Sequence, residues 1–221
     1  MRINIGIEFE YLLIYLELKA FKEFLDRLEK GLEYITKQET LYSPSIIHGL
    51  TDPNDIQIAE NEHKEFINRI MPRFFRNPAL VSLWAIYESS VNKIADHLHQ
   101  KLSEDLPQLK NYLKNRKMNF LHRANKYFHD VLKIPLYSNG HEDHLERLMV
   151  LRHAIAHCNG RLEEVKNKKR QRKIREWVKG NIGISIYHGD LIISESFLRE
   201  IFLIIEESLH FLIKSANSTF N

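Results

Sequence analysis

Apolar residues recur at intervals of three and four along most of this chain, a spacing that fits packed α-helices and little else. Leu18, Phe21, Leu25, Leu28 and Leu32 form one stripe, which predicts an amphipathic helix over residues 8 to 37. Leu80, Leu83, Tyr87, Val91, Ile94 and Leu98 form a second. Phe197, Ile201, Ile204, Ile205, Leu209 and Leu212 form a third, behind Ser194 as its cap, over residues 195 to 215. Only 8 glycines and 6 prolines punctuate the 221 residues, which disfavours a turn-rich β architecture. An apolar fraction of 43% suffices for a core, so global disorder is excluded.

Breakers set the expected boundaries. Pro44, Pro53 and clustered turn formers predict a loop over 41 to 54. A second helix is expected over 56 to 71, interrupted near Pro72. A third starts at Pro78, a favourable first-turn residue, and runs to about 102. A fourth covers 107 to 132, and a fifth 141 to 157, with Asn159-Gly160 as its stop. Between the last two helices, Ile182, Ile184 and Ile186 alternate with smaller or polar residues. A turn at Gly189-Asp190 and the run Leu191-Ile192-Ile193 complete a short β-hairpin. The expected fold class is mainly α, a helical bundle with a small β-hairpin before the last helix.

Net charge is only +3, so the whole-protein balance does not point to nucleic acid. The single cysteine, Cys158, excludes an internal disulfide and a zinc site built from several cysteines. Glu8, Glu10, Glu17 and Lys19 interrupt the apolar residues near the N-terminus, where neither a signal peptide nor a membrane span is read. A soluble cytoplasmic protein is expected.

The fifth helix carries the most pointed chemistry, Arg152-His153-Ala154-Ile155-Ala156-His157, followed by Cys158-Asn159-Gly160. Arginine supplies a fixed cation and a planar donor fork suited to phosphate. Histidine supplies a group that exchanges a proton near neutral pH. Phosphodiester cleavage needs both, and the reading is a ribonuclease. On a helical wheel Leu145, Leu148, Leu151 and Ile155 share the buried face, with Arg152 at its edge. Arg152 and His157 fall about 140° apart, so one helix does not easily present both to one phosphate. Two copies about a two-fold axis do, which predicts a homodimer with a shared site. The competing reading pairs Arg152 with a carboxylate and leaves it structural.

At these residues the chain resembles the HEPN superfamily, small all-helical domains that include many endoribonucleases of prokaryotic defence and toxin–antitoxin systems. The hallmark of that family is arginine, four to six residues, then histidine, with a polar residue often directly after the arginine. Arg152, His153 and His157 match it, late in a helical chain. Leu80 to Ser90 is similar to an earlier helix of such domains. The resemblance covers roughly residues 75 to 215, so 1–74 is expected to be an N-terminal helical extension and 75–221 the HEPN-like domain. It implies a dimer with both motifs lining one cleft and no cofactor or metal. His157 would be general base or acid for attack of a ribose 2′-hydroxyl, and Arg152 would neutralise the phosphorane. His153 would bind phosphate or share proton transfer, and Asn159 is a further candidate. The implied role is growth arrest or phage defence, with an antitoxin protein as a partner alongside RNA.

Supporting residues carry paired readings. Glu88, beside Trp84 and Tyr87, is either the bidentate partner of Arg152 or a surface carboxylate. Lys166, Lys168, Lys169, Arg170, Arg172, Lys173 and Arg175 either track an RNA backbone or form a solvated helix face. Tyr112, Phe120, Tyr127 and Phe128 read as core rather than as base-stacking residues. His141 and His144, with His153 and His157, lack an acidic third ligand at motif spacing, which disfavours a metal site. Cys158 reads as a small half-buried residue rather than a nucleophile. Two further possibilities stand beside the enzyme: a catalytically silent HEPN-type module that binds RNA or a partner, and a helical scaffold.

Overall fold

The structure, a computed structural model, describes residues 5–102, 106–112 and 118–220, with side chains described except at 5–10 and 40–47. It is mainly helical, with one two-stranded antiparallel sheet before the final helix. The helices are α1 (Ile5–Ile47), α2 (Pro53–Glu65), α3 (Met71–Leu102), α4 (Phe120–Asp130), α5 (Glu142–Cys158), α6 (Lys168–Lys179) and α7 (Glu195–Phe220). The strands are β1 (Ile184–Tyr187) and β2 (Asp190–Ile193). The chain divides into two compact units, each assembled from separated stretches. The first comprises Met1–Lys22, Ser82–Arg152 and Glu200–Asn221; the second comprises Glu23–Val81 and His153–Arg199. The boundary expected at 74/75 falls within α3.

The first unit is built by the expected apolar stripes. Ile14, Leu18, Leu83, Tyr87, Val91, Ile94, Leu98, Leu145, Leu148, Leu151, Leu209 and Leu212 are all buried. Phe21 of α1 stacks on Phe202 of α7, with ring centroids 6.2 Å apart. Trp84 of α3 meets the edge of Phe120 at 6.1 Å. Tyr127 and Phe128 of α4 are fully buried, so these aromatics belong to the core, and Tyr112 packs edge-on against Tyr127 at 5.5 Å. Burial holds the Tyr127 hydroxyl in its neutral form, its pKa pushed up to about 12 with a smaller contribution from nearby Asp96.

In the second unit Leu25, Leu32, Ile67, Leu80, Leu162, Ile174, Ile184, Leu191, Ile193 and Phe197 are buried. The hairpin registers Ile184 against Ile193 and Tyr187 against Asp190. Its two-residue turn, His188-Gly189, has φ of +47° and +85°, the doubly left-handed geometry that matches strand twist. At Gly183 (φ +77°) a Cβ would lie 2.5 Å from Ser194 Oγ, so glycine is required there. Ser194 caps α7 as expected, its Oγ accepting from Phe197 N–H at 3.1 Å.

Several helix boundaries differ from the expectations. The loop over 41 to 54 shrinks to a turn, because α1 continues through Pro44 to Ile47. Its stop is Gly49 at φ +112°, a conformation glycine adopts without cost. The second helix starts earlier, at Pro53, where Asp52 Oδ1 accepts from Asn54 N–H at 2.7 Å. It does not break at Pro72. A wide π turn (Phe66–Ile70) precedes that proline, and Met71 N–H reaches the Phe66 carbonyl. The extra residue relieves the clash a proline ring makes with the carbonyl four positions earlier. Pro78 then lies inside α3 instead of starting a helix. Buried Ile67, Ala79, Leu80 and Leu83 on either side offset a proline cost of about 3 kcal/mol. The fourth helix starts only at Phe120, where Asn119 Oδ1 caps His122 N–H at 2.9 Å; residues 106–112 form turns, and 113–117 lie outside the described residues.

Candidate functional site

Helix α5 begins with Glu142 and Asp143, carboxylates well placed at the positive end of a helix dipole. Leu145, Leu148, Leu151, Ala154 and Ile155 form its buried stripe. Arg152 and His153 sit half-buried beside that stripe, and His157 is exposed. The helix stays regular through Cys158, so no fraying turns His157 toward Arg152, and the two keep an offset of about 140°. His153 and His157, four residues apart, bring their rings within 4.6 Å at an interplanar angle of 50°.

Arg152 Nε is buried without a hydrogen-bond partner among the described residues. Glu88 does not orient it. The Glu88 carboxylate accepts from the indole N–H of Trp84 at 2.8 Å, and its carbonyl accepts from Asn92 Nδ2 at 2.8 Å. Trp84 is buried one helical turn before Glu88, and its N–H finds its acceptor in that carboxylate.

The end of α5 has the predicted form. Asn159 and Gly160 adopt φ of +48° and +75°, and Gly160 N–H returns to the Ala154 carbonyl at 3.1 Å. The chain then pairs with the hairpin: Leu191 N–H donates to the Gly160 carbonyl and Leu162 N–H to the Gly189 carbonyl, each at 2.9 Å.

Arg73 of α3 locks this junction. Its Nη1 donates to Asp190 Oδ2 at 2.7 Å and its Nη2 to the Asn159 carbonyl at 2.5 Å. The Arg73 side chain is 13% exposed and that of Asp190 24%, so this is a largely desolvated pair. Asn77, one turn further along α3, donates to the Leu191 carbonyl at 3.3 Å. Sequence reasoning missed Arg73, whose local pattern distinguishes it from no other surface arginine.

The basic run lies on α6. Asn167 Oδ1 caps this helix, accepting from Lys169 and Arg170 N–H at 3.0 and 3.2 Å. Gln171 and Ile174 are buried; Lys168, Lys169, Arg172, Lys173 and Arg175 are exposed and Arg170 is half-buried. Gln171 Nε2 fastens the helix to the Leu162 carbonyl at 2.9 Å, and Arg172 pairs along the helix with Glu176 at 3.0 Å. Helix α6 packs against β1.

Two histidines of the first unit, His141 and His144, reach α7. His141 Nδ1 meets Ser208 Oγ at 2.9 Å while its Nε2 lies 3.2 Å from Glu207, and His144 Nε2 lies 3.4 Å from Glu200. Among the described residues no three His, Cys, Asp or Glu side chains are grouped to hold a metal ion. Cys158 is a half-buried free thiol. No described helix is long and apolar enough to cross a membrane. Compared with protein-family models, with curated proteins and with solved structures, the chain matches none.

Proposed function

We propose that this chain is a metal-independent endoribonuclease of the HEPN type, acting as a homodimer in a defence or toxin context with an antitoxin as its natural restraint. One observation carries the reading: a half-buried arginine whose Nε lacks any described partner shares a helix with an exposed histidine at its last turn. A buried Nε–H in that state is costly unless a ligand or a second subunit completes its bonding. The angle of about 140° between Arg152 and His157 makes the partner copy the source of the second group.

In this arrangement Arg152 of one protomer neutralises the scissile phosphate. His157 of the other takes the proton of the attacking 2′-hydroxyl or delivers one to the leaving 5′-oxygen. The P–O5′ bond breaks as the 2′-oxygen bonds to phosphorus, giving a 2′,3′-cyclic phosphate and a 5′-hydroxyl. His153, whose ring lies beside that of His157, contacts phosphate or relays the proton. Asn159 flanks the site at the helix end, and Lys168, Lys169, Arg170, Arg172 and Lys173 of α6 carry the strand's phosphates.

The test uses mixed RNA in excess chelator with wild type, Arg152→Ala and His157→Ala. The reading expects cyclic phosphate termini from wild type only, with both variants folded and dimeric. Binding without cleavage by wild type favours a catalytically silent RNA-binding module, and neither activity leaves a helical scaffold.

A further inference from the structure

The hairpin turn bears a second arrangement that the cleavage chemistry does not use. Arg69 holds its guanidinium 4.4 Å from the centroid of the Tyr187 ring. The His188 ring meets the same tyrosine at 4.1 Å, nearly edge-on at 68°. Arg69 and His188 are exposed, while Tyr187, which both contact, is half-buried. Three planar groups are therefore assembled in advance, with Arg69 and His188 open to solvent.

His188 fills the first position of this turn. It holds φ at +47°, in a turn type whose first position favours asparagine or glycine. The exposed imidazole has no described hydrogen bond or ion pair, and its described contact is with the Tyr187 ring. The turn is tied to the end of α5. Arg73 binds Asp190, just past the turn, and Asn159, two residues past His157, through one guanidinium. Helix α6, with seven basic residues and one acid among its twelve, packs against the strand that ends in Tyr187.

We infer that Arg69, Tyr187 and His188 form a stacking ledge for one unpaired base of a single-stranded RNA whose phosphates follow α6. This rests on the ribonuclease reading and adds a base-binding subsite on the hairpin turn. Guanidinium, phenol and imidazole planes all accept a nucleobase face. A paired base is already stacked on both faces, so the ledge selects single strands. The surplus of positive charge on α6 favours a polyanion over a neutral or basic protein surface.

The probe is a 2′-O-methyl oligonucleotide, which lacks the attacking hydroxyl and survives the enzyme, carrying one 2-aminopurine. It is presented to the full-length protein as a single strand and as a duplex. His188→Asn removes the imidazole while giving the turn its preferred Asn-Gly sequence. Arg69→Met keeps the aliphatic stem and removes the cation. The ledge predicts tighter binding of the single strand, quenching of 2-aminopurine, and a loss of affinity of roughly 5- to 150-fold in the double variant. Cleavage of ordinary RNA by wild type is followed in parallel. If single strand and duplex bind alike, or the double variant binds as wild type does, the ledge is overturned while cleavage leaves the ribonuclease reading in place. If wild type neither binds nor cleaves RNA, both readings fall. Binding of acidic peptides in preference to RNA also overturns the ledge.

Discussion

Replacing Arg73 with methionine isolates what one guanidinium contributes to the junction of α5 and the hairpin. Methionine keeps most of the aliphatic stem, so the change removes two charge-assisted hydrogen bonds with little loss of packing. Asp190 is left largely buried. Its Oδ1 already lacks a hydrogen bond and lies 4.0 Å from Arg161 Nε, too far to compensate. Breaking a fully buried pair costs about 3–5 kcal/mol. Side-chain exposures of 13% and 24% place this pair slightly short of that limit, and a loss of roughly 2–4 kcal/mol is expected. Urea titration with an unchanged m-value reads the loss directly. Asp190→Asn alone should cost about 1–3 kcal/mol, and the double variant less than the sum, with a coupling of roughly 0.5–3 kcal/mol. Arg73→Lys should restore little, because one ammonium does not span a carboxylate and a carbonyl as a planar fork does. Under the ribonuclease proposal, Arg73→Met should also lower RNA cleavage, since Asn159 and the last turn of α5 lose their brace. A midpoint for Arg73→Met within about 0.5 kcal/mol of wild type, the range of an ordinary surface change, would refute the argument.

Three further outcomes are expected. Gly183→Ala combines a φ of +77° with a Cβ placed 2.5 Å from Ser194 Oγ and 2.8 Å from Phe197 Cβ. Left-handed strain and overpacking together cost about 2–4 kcal/mol, read as a fall in Tm; an unchanged Tm would mean that this loop is free to move. Glu88→Gln should leave both stability and turnover near wild type, because the amide oxygen still accepts from Trp84, while Trp84→Phe strands the carboxylate and costs about 1–3 kcal/mol. A large loss of turnover in Glu88→Gln would restore a link to Arg152. At high pH the unfolded chain loses tyrosine protons near the ordinary value of about 10, whereas burial keeps Tyr127 neutral until about 12. The folded-state pKa is the higher one. This contribution to stability is therefore complete below pH 10 and disappears as pH rises to about 12. Tyrosinate absorbance should lag in the native protein, and an ordinary midpoint for every tyrosine would contradict the burial.

Much of the fold was legible because its signals are local. The stripes of α3, α5 and α7, the Ser194 cap and the stop at Asn159-Gly160 each depend on a few neighbouring residues, and each is found where the pattern puts it. The hairpin was equally readable from its alternating isoleucines, although its left-handed pair is His188-Gly189. The prolines misled. Pro44 and Pro72 read as breaks and Pro78 as a helix start, yet the helices continue, by a π turn at Pro72 and by packing around Pro78. A wide turn has no sequence signature of its own. The candidate site divides in the same way. Arg152, His153 and His157 are readable from spacing on one helix. Arg73 is 86 residues from the Asn159 carbonyl it holds, and no short-range pattern contains that contact. Glu88 binds a partner one turn away, the Trp84 indole, a contact of short range that the sequence reading did not name.

The five-residue turn at Phe66–Ile70 acts as a vernier between α2 and α3. Each residue added to or removed from a helix rotates everything beyond it by about 100°. Deleting Ile70 would keep both helices intact yet swing the azimuth of α2 by that amount, and Arg69, just before it in the turn, would leave the face of Tyr187. Arg73 lies beyond the turn and would keep its grip on Asp190 and Asn159. The width of a single helical turn thus sets the aim of one arginine independently of the other, four residues away.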